Sequence, residues 1–254
     1  MVLDRFRSFV RSRTELPQSP RAKLIYDHAP AAIYAIGDVH GRLDLLQAIE
    51  DQILSDAAEF ASEKWIVMLG DYVDRGPKSA GVIDHLLRAP PAGFLRTCLA
   101  GNHEELMASF LENPGSKHPW LDLGGFDTLR SYGISPGQRH SRSVLDASIP
   151  SEHREFITGL PSLVSIPGYI FVHAGVKRGV PLQQQLDRDL LWMRPTAAGG
   201  IGFADAIVVH GHTPVQDIEI TNGRINVDTG AYATNKLSAI RISNGTAACL
   251  SVIK

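Results

Sequence analysis

Five segments of the sequence end an apolar run in the same chemical way. They are Gly37-Asp38-Val39-His40-Gly41, Gly70-Asp71-Tyr72-Val73-Asp74-Arg75-Gly76-Pro77, Gly101-Asn102-His103-Glu104, Val172-His173-Ala174-Gly175 and Val209-His210-Gly211-His212-Thr213-Pro214. Asp38 and His40 are two apart, a spacing that in extended chain aims both side chains at one side. Glycine permits tight turns and close approach of the backbone to a ligand or metal. Any one segment reads as an ordinary turn, since Gly, Asp and Asn are turn formers. Five together do not: His40, His103, His173, His210 and His212 are half of the ten histidines, and turns have no need of imidazole. The other five, His28, His85, His118, His140 and His153, are assigned to surface or core without function.

Carboxylate, imidazole and amide donors in one set suit borderline divalent ions such as Mn²⁺, Fe²⁺ or Zn²⁺ better than Ca²⁺ or Mg²⁺. The donors are too many for one tetrahedral zinc and include no thiolate, so the count points to two ions. A pair of ions about 3.5–4 Å apart clamps the attacking and leaving oxygens of an in-line phosphoryl displacement. Within the last segment His210 and His212 could both face one way along a strand, and residue types alone leave the choice between them open.

The elements that must position these residues alternate in type. Residues 31–37 form an apolar, β-prone run, and the segment after it carries Leu45, Leu46, Ile49, Ile53 and Leu54 at helical spacing. The unit repeats with a strand at 64–70 and a helix near Ser79–Arg88, then a strand at 94–100 and a helix from about Glu104 to Leu111. Residues 113–150, rich in Gly, Pro and Ser, read as a helical or irregular insertion. Beyond residue 162 the texture turns to strands, and Asn222-Gly223 and Asn244-Gly245 each read as a hairpin turn between β-rich runs. Such alternation predicts β-sheet wrapped by helices, here a sandwich of two sheets with helices outside, and ligand sites in α/β proteins lie at the carboxyl ends of strands.

Composition narrows the class. The chain has 254 residues, 44% of them hydrophobic, with 25 basic and 27 acidic residues for a net charge of −2. That balance gives no electrostatic reason to expect nucleic acid or an anionic membrane as the main partner. No run approaches the ~18 apolar residues of a membrane span, and the N-terminus has no uninterrupted apolar signal core. Cys98 and Cys249 read as two buried thiols in a reducing compartment, so a soluble cytoplasmic protein is expected. The arm over residues 1–28 sets Arg5, Arg7, Arg11 and Arg13 among Leu3, Phe6, Phe9 and Val10 and reads as a basic surface appendage to a single catalytic domain over 29–254.

The ordered set GDxHG, GDxxDRG, GNHE, HAG and HGHTP resembles the calcineurin-like metallophosphoesterases of the phosphoprotein phosphatase family, in particular the compact bacterial and phage-type serine/threonine phosphatases. The motifs run from Gly37 to Pro214, and the segments GGFDTLRSYG, LLWMRP and NVDTGA are also similar to the bacterial members. The resemblance implies an α/β fold of four layers, α/β-β/α, in which two mixed β-sheets are flanked by helices. It implies two divalent ions, Mn²⁺ first and Fe²⁺ or Zn²⁺ as alternatives. Asp38 and His40 would hold the first and Asp71 would bridge to the second, which Asn102, His173 and His212 complete; His210 would either support a ligand from behind or be packed in the core. Hydrolysis would proceed by direct attack of a hydroxide bridging the ions, with His103 as the acid that protonates the leaving oxygen and Asp74 as its hydrogen-bond partner.

Arg75 offers a bidentate fork for phosphate oxygens, and Arg194 is the candidate second arginine, with Asn102 also facing phosphate. Gly101 would let the backbone turn tightly enough to present Asn102 and His103 together. Where many diesterases of the wider superfamily carry a further histidine, this chain has Pro214, which favours monoester hydrolysis and hence a phosphorylated serine or threonine protein as substrate. The rival is a symmetrical diadenosine tetraphosphate hydrolase, for which Trp120, Tyr132 and Trp192 are the available aromatic platforms; phosphotyrosine preference is a variant of the first reading. A non-catalytic metal-binding scaffold would be expected to lack at least one of these positions, and none is missing.

Overall fold

A computed structural model describes residues 20–135, 137, 140–194, 203 and 206–254. The greater part of the basic arm, residues 1–19, lies outside the described residues. Two mixed sheets face each other. One has five strands in the order β11-β10-β2-β3-β4, where β2 is Ala32–Ile36, β3 Lys64–Met68, β4 Phe94–Cys98, β10 Lys236–Ser243 and β11 Thr246–Ile253. The other has six in the order β1-β5-β6-β7-β9-β8, with β1 Lys23–Ile25, β5 Leu163–Ile166, β6 Tyr169–Val172, β7 Ile207–His210, β8 Glu219–Thr221 and β9 Arg224–Asn226.

Why the strand sequences are continuously apolar follows from this layering. Along β2 the alternation of the pleat sends Ile33 and Ala35 inward, where they join Val67, Leu99, Phe171, Val209 and Ile240 between the sheets. Ala32, Tyr34 and Ile36 point the opposite way, onto a helical layer. A strand buried on both sides favours apolar residues at every position. The outer layer includes α1 (Leu43–Asp56), which packs on β10 and β11, and α2 (Ser79–Leu87). Leu45, Leu46, Ile49 and Ile53 of α1 are buried as their spacing predicts, whereas Leu54 is 40% exposed. On the far side of the six-stranded sheet Leu190 packs against Leu163, Ile170, Val172 and Val208.

β2, β3 and β4 run parallel, as do β6, β7 and β9, so their carboxyl ends gather at one edge of the sandwich. Both Asn-Gly pairs close antiparallel hairpins, β8 to β9 and β10 to β11. Asn244 and Gly245 both take positive φ, the conformation that a two-residue turn of matching twist demands. The stretch 113–150 holds short helical pieces: a π-helical turn at Leu121–Gly125, then Phe126–Ser131 and Arg142–Ser148. Cys98 is half-buried and Cys249 exposed, which corrects the expectation of two buried thiols. Cys249 lies on β11, an edge strand whose side chains alternate between helix and water.

Candidate metal centre

Five of the six strands named above as parallel deliver the expected polar groups just past their carboxyl ends: Asp38 and His40 after β2, Asp71, Asp74 and Arg75 after β3, Asn102 and His103 after β4, His173 after β6 and His212 after β7. Asp38, His40, Asp71, Asp74, Asn102, His103, His173 and His212 are all at most 8% exposed. Concentrating that many charged and polar groups away from water is costly unless they are paired or coordinate metal.

Asp71 stands in the middle and serves two sides. Its Oδ1 lies 3.5 Å from His173 Nε2, and its Oδ2 lies 3.6 Å from His40 Nε2 and 3.9 Å from His103 Nε2. Two triads with converging ligand atoms result, His40-Asp71-His103 and Asp71-His173-His212. A carboxylate with one oxygen toward each triad is suited to bridging two ions. Asn102 joins the second triad: its Oδ1 is 2.8 Å from His173 Nε2 and 2.8 Å from His212 Nδ1. Asp38 stands outside both triads, its carboxylate accepting the backbone N–H of His212 at 3.2 and 3.3 Å.

The imidazoles are oriented by backbone carbonyls. His40 Nδ1–H donates to Val73 O at 2.8 Å and His173 Nδ1–H to Leu69 O at 2.9 Å, which leaves each Nε2 as an acceptor facing the centre. In that tautomer His173 Nε2 and Asn102 Oδ1 are two acceptors in contact, an arrangement that calls for a cation between them. His212 Nε2 is buried without a hydrogen-bond partner. Acceptors in contact with one another, the orphaned His212 nitrogen and a mixed Asp, His and Asn donor set fit a pair of divalent ions.

Burial pushes the pKa of His40, His173 and His212 down, so each is held neutral with a lone pair to give. For His103 burial is outweighed by the Asp71 charge and by the hydrogen bond and charge of Asp74, and its pKa is raised. For Asp71 burial works against ionisation, but any positive charge on the surrounding rings of His173, His103, His40 and His212 works for it, and the carboxyl is held well below its usual range. Burial, with Asp228 and Asp71 nearby, pushes Asp38 up.

His103 Nδ1 meets Asp74 Oδ2 at 2.6 Å. Asp74 is in turn fully enclosed, its Oδ2 accepting Trp120 Nε1–H at 2.8 Å and its Oδ1 the Thr128 hydroxyl at 2.7 Å. The segment expected as an insertion thus braces the centre. Gly124 approaches so closely that a Cβ there would meet Arg75 N at 2.8 Å. Trp120 is spent on this brace and Tyr132 turns away to His153 Nδ1 at 2.9 Å, so neither is free as a stacking platform. Trp192 lies at the edge, its ring 6.4 Å from that of His212 and its Nε1–H donating to Glu105 at 2.6 Å.

Arg75 points into the centre, its two terminal nitrogens 3.1 Å from His40 Nε2 and 3.0 Å from His103 Nε2. Arg194 is exposed at the end of the helix Asp187–Trp192; it forms no hydrogen bond to the candidate ligands, but its charge helps to depress the pKa of His212. His210 is fully buried at the end of β7, and its Nε2 has no partner.

The need for Gly101 is space rather than a turn. Its φ of −102° is open to any residue, but a Cβ there would fall 2.1 Å from Asp71 Oδ1. Gly211 does the same for Asp38, with a Cβ 2.1 Å from its Oδ1. By contrast His40, Asp71, Asp74, Arg75 and His212 all have φ between 44° and 74°. That left-handed backbone is rare and costly for such residues and persists where the surroundings over-determine it, as at functional sites.

Two acids went unassigned in the sequence. Glu104 is buried and accepts four backbone N–H groups, those of Asp71, Tyr72 and Gly101 at 2.8 Å and of Val73 at 3.3 Å, tying the two ligand-bearing loops together. Asp228 follows β9, the sixth strand end at this edge, and accepts Gly230 N–H at 2.9 Å. Burial, with the Asp71 charge, pushes it up to about 6. Its signal was a short alternating strand, Arg224-Ile225-Asn226-Val227, ending in Asp with glycine two residues on.

The calcineurin-like phosphoesterase family model matches residues 31–240, and the chain belongs to that family. Serine/threonine-protein phosphatase 2 of Escherichia coli (strain K12) is 26% identical over 237 residues, 88% of this chain and 99% of that one. The bis(5'-nucleosyl)-tetraphosphatase PrpE [asymmetrical] of Bacillus velezensis is 26% identical over 233 residues, 81% of this chain and 87% of that one. A solved structure described as a putative diadenosine tetraphosphatase superposes with a TM-score of 0.65 at 20% identity, covering 91% of this chain and 98% of that one. Among the described residues no helix is long and apolar enough to cross a membrane.

Proposed function

We propose that this chain is a metal-dependent serine/threonine protein phosphatase. The observation that carries the chemistry is the two-sided Asp71 carboxylate between neutral imidazoles on one hand and a raised His103 on the other. Asp38, His40 and Asp71 would hold one divalent ion, and Asp71, Asn102, His173 and His212 the other, with Mn²⁺ the first candidate. Bound there, the ions would supply a nucleophile from water at neutral pH and neutralise charge on the phosphoryl group.

The side chains have separate tasks. Arg75 clamps phosphoryl oxygens from the inner side, with Arg194 closing from the rim and Asn102 beside the incoming group. His103 delivers the Nε2 proton to the departing oxygen. Asp74 holds the ring by Nδ1–H and favours its charged form, and a general acid so placed contributes typically 10²–10⁴-fold. No side chain needs to become covalently attached to phosphate.

Pro214, in place of a further histidine, and the near end-to-end alignment with serine/threonine-protein phosphatase 2 support a phosphoprotein substrate. A dinucleoside tetraphosphate is the second reading, favoured by the likeness to relatives named bis(5'-nucleosyl)-tetraphosphatases. Turnover of phosphoserine, phosphothreonine and phosphotyrosine peptides and of diadenosine tetraphosphate, measured in parallel with Mn²⁺, separates the two. Faster turnover of phosphoserine or phosphothreonine peptides is expected; a clear preference for the dinucleotide overturns the proposal.

A further inference from the structure

The ring of Tyr232 lies 4.6 Å from Arg75 Cζ and meets the His40 ring edge-on, 5.3 Å away at 84°. Tyr232 is 40% exposed, at the mouth of the centre. Its place is built on both sides. It belongs to a four-residue helix, Ala231–Thr234, which begins at Gly230 with φ 67° and ends at Asn235 with φ 58°. Asp228 accepts the Gly230 N–H at 2.9 Å, and Arg42 donates to Ala231 O at 3.1 Å and to Asn235 Oδ1 at 2.5 Å. Thr234 Oγ1 donates to Thr229 O at 2.7 Å.

Arg75 needs a hold of this kind. Its two terminal nitrogens face the Nε2 atoms of His40 and His103. Yet one of those atoms is the one a metal ligand must give, and the other is the one an acid must use. Neither can anchor the guanidinium during the reaction. The negative face of an aromatic ring attracts the cation without taking any of its N–H groups, so every donor of the fork stays available for phosphate oxygens. It also works against repulsion of Arg75 by cations at the ligand cluster.

We propose that Tyr232 is a positioning residue for phosphate recognition: its ring holds the Arg75 guanidinium in place over the centre. The proposal rests on the reading of Arg75 as the phosphate clamp. Four variants separate the two ideas: Tyr232→Phe keeps the ring, Tyr232→Leu keeps bulk without a π face, Tyr232→Ala removes both, and Arg75→Ala removes the clamp. Each is supplied with Mn²⁺, and four quantities are read: KM and kcat for p-nitrophenyl phosphate, the Kd of inorganic phosphate by calorimetry, and metal content.

Expected is a rise of about two- to thirty-fold in KM and in phosphate Kd for the Leu and Ala variants, with a smaller change in kcat and unchanged metal content. Tyr232→Phe should restore most of the affinity. Phosphate binding by Tyr232→Leu at the wild-type level, with binding lost in Arg75→Ala, overturns the role of Tyr232 and leaves the clamp standing. Wild-type phosphate binding by Arg75→Ala overturns the clamp itself. Equal weakening in the Phe and Leu variants would assign the effect to the hydroxyl, and loss of metal in Tyr232→Leu would assign it to the His40 side; either result overturns the proposal.

Discussion

Asp74 and His103 form a buried pair in which Oδ2 of the acid lies 2.6 Å from Nδ1 of the imidazole. Nothing about the pair is adjustable: Trp120 and Thr128 occupy the remaining directions of the carboxylate, and Asp74 itself sits at φ 74°. A ring so held presents one nitrogen to the centre and keeps the other for its partner.

If His103 donates the proton, then His103→Asn lowers kcat by about 10²–10⁴-fold for an ordinary alkyl phosphate. Metal content, measured by mass spectrometry on the purified variant, stays at the wild-type level, because the ligands of both ions are elsewhere. Since His103 belongs geometrically to one of the two triads, a loss of metal in this variant would instead make it a ligand.

Glu104 is expected to matter for stability beyond its size. Replacing it by Gln sets an amide donor against a carboxylate's partners, four backbone N–H groups on two loops. A buried charge-assisted network of this kind costs about 2–4 kcal/mol to disrupt. Urea midpoints of wild type and Glu104→Gln check the value; a change under about 0.5 kcal/mol would show that the loops do not depend on it.

His210 gives the protein an acid sensitivity whose sign can be worked out. Burial pushes its pKa down to about 4 in the folded chain, against about 6.5 in an unfolded one. Between those values the unfolded chain binds the extra proton, so stability is full above pH 6.5 and falls as pH drops toward 4. Between pH 7 and pH 5 the loss from this residue is about 2 kcal/mol. Wild type should therefore lose that much more stability over this interval than His210→Gln, as measured by urea unfolding at the two pH values.

The two thiols should differ in reactivity. Burial pushes the Cys98 thiol up to about 12, leaving roughly one molecule in ten thousand as thiolate at pH 8. Cys249 is exposed, so iodoacetamide followed by peptide mapping should find it alkylated first by a wide margin. Equal labelling would mean that β4 opens readily.

The sequence determined by itself the kinds of groups at the centre and the strand ends that carry them. Metal ligation and proton transfer demand particular atoms, and few residues supply them; a run of apolar residues followed by Asp, His or Asn with glycine is visible one segment at a time. The helix over Leu45 to Ile53 and both hairpins were legible for the same reason, since period and turn chemistry are local. Two things were decided only in three dimensions. One is division of labour among like groups. His103 differs from His40 and His173 because, beside the Asp71 they share, it alone of the three has Asp74 as a hydrogen-bond partner, and Asp74 lies about thirty residues away in the chain. The other is support: Glu104 gains its meaning from the backbone N–H groups of two loops, Trp120 and Thr128 from the Asp74 carboxylate, and Tyr232 from the Arg75 guanidinium, all of which folding brings to them. Their residue types are common in helices and cores, so no local pattern marks them, and long-range packing alone converts them into parts of a site.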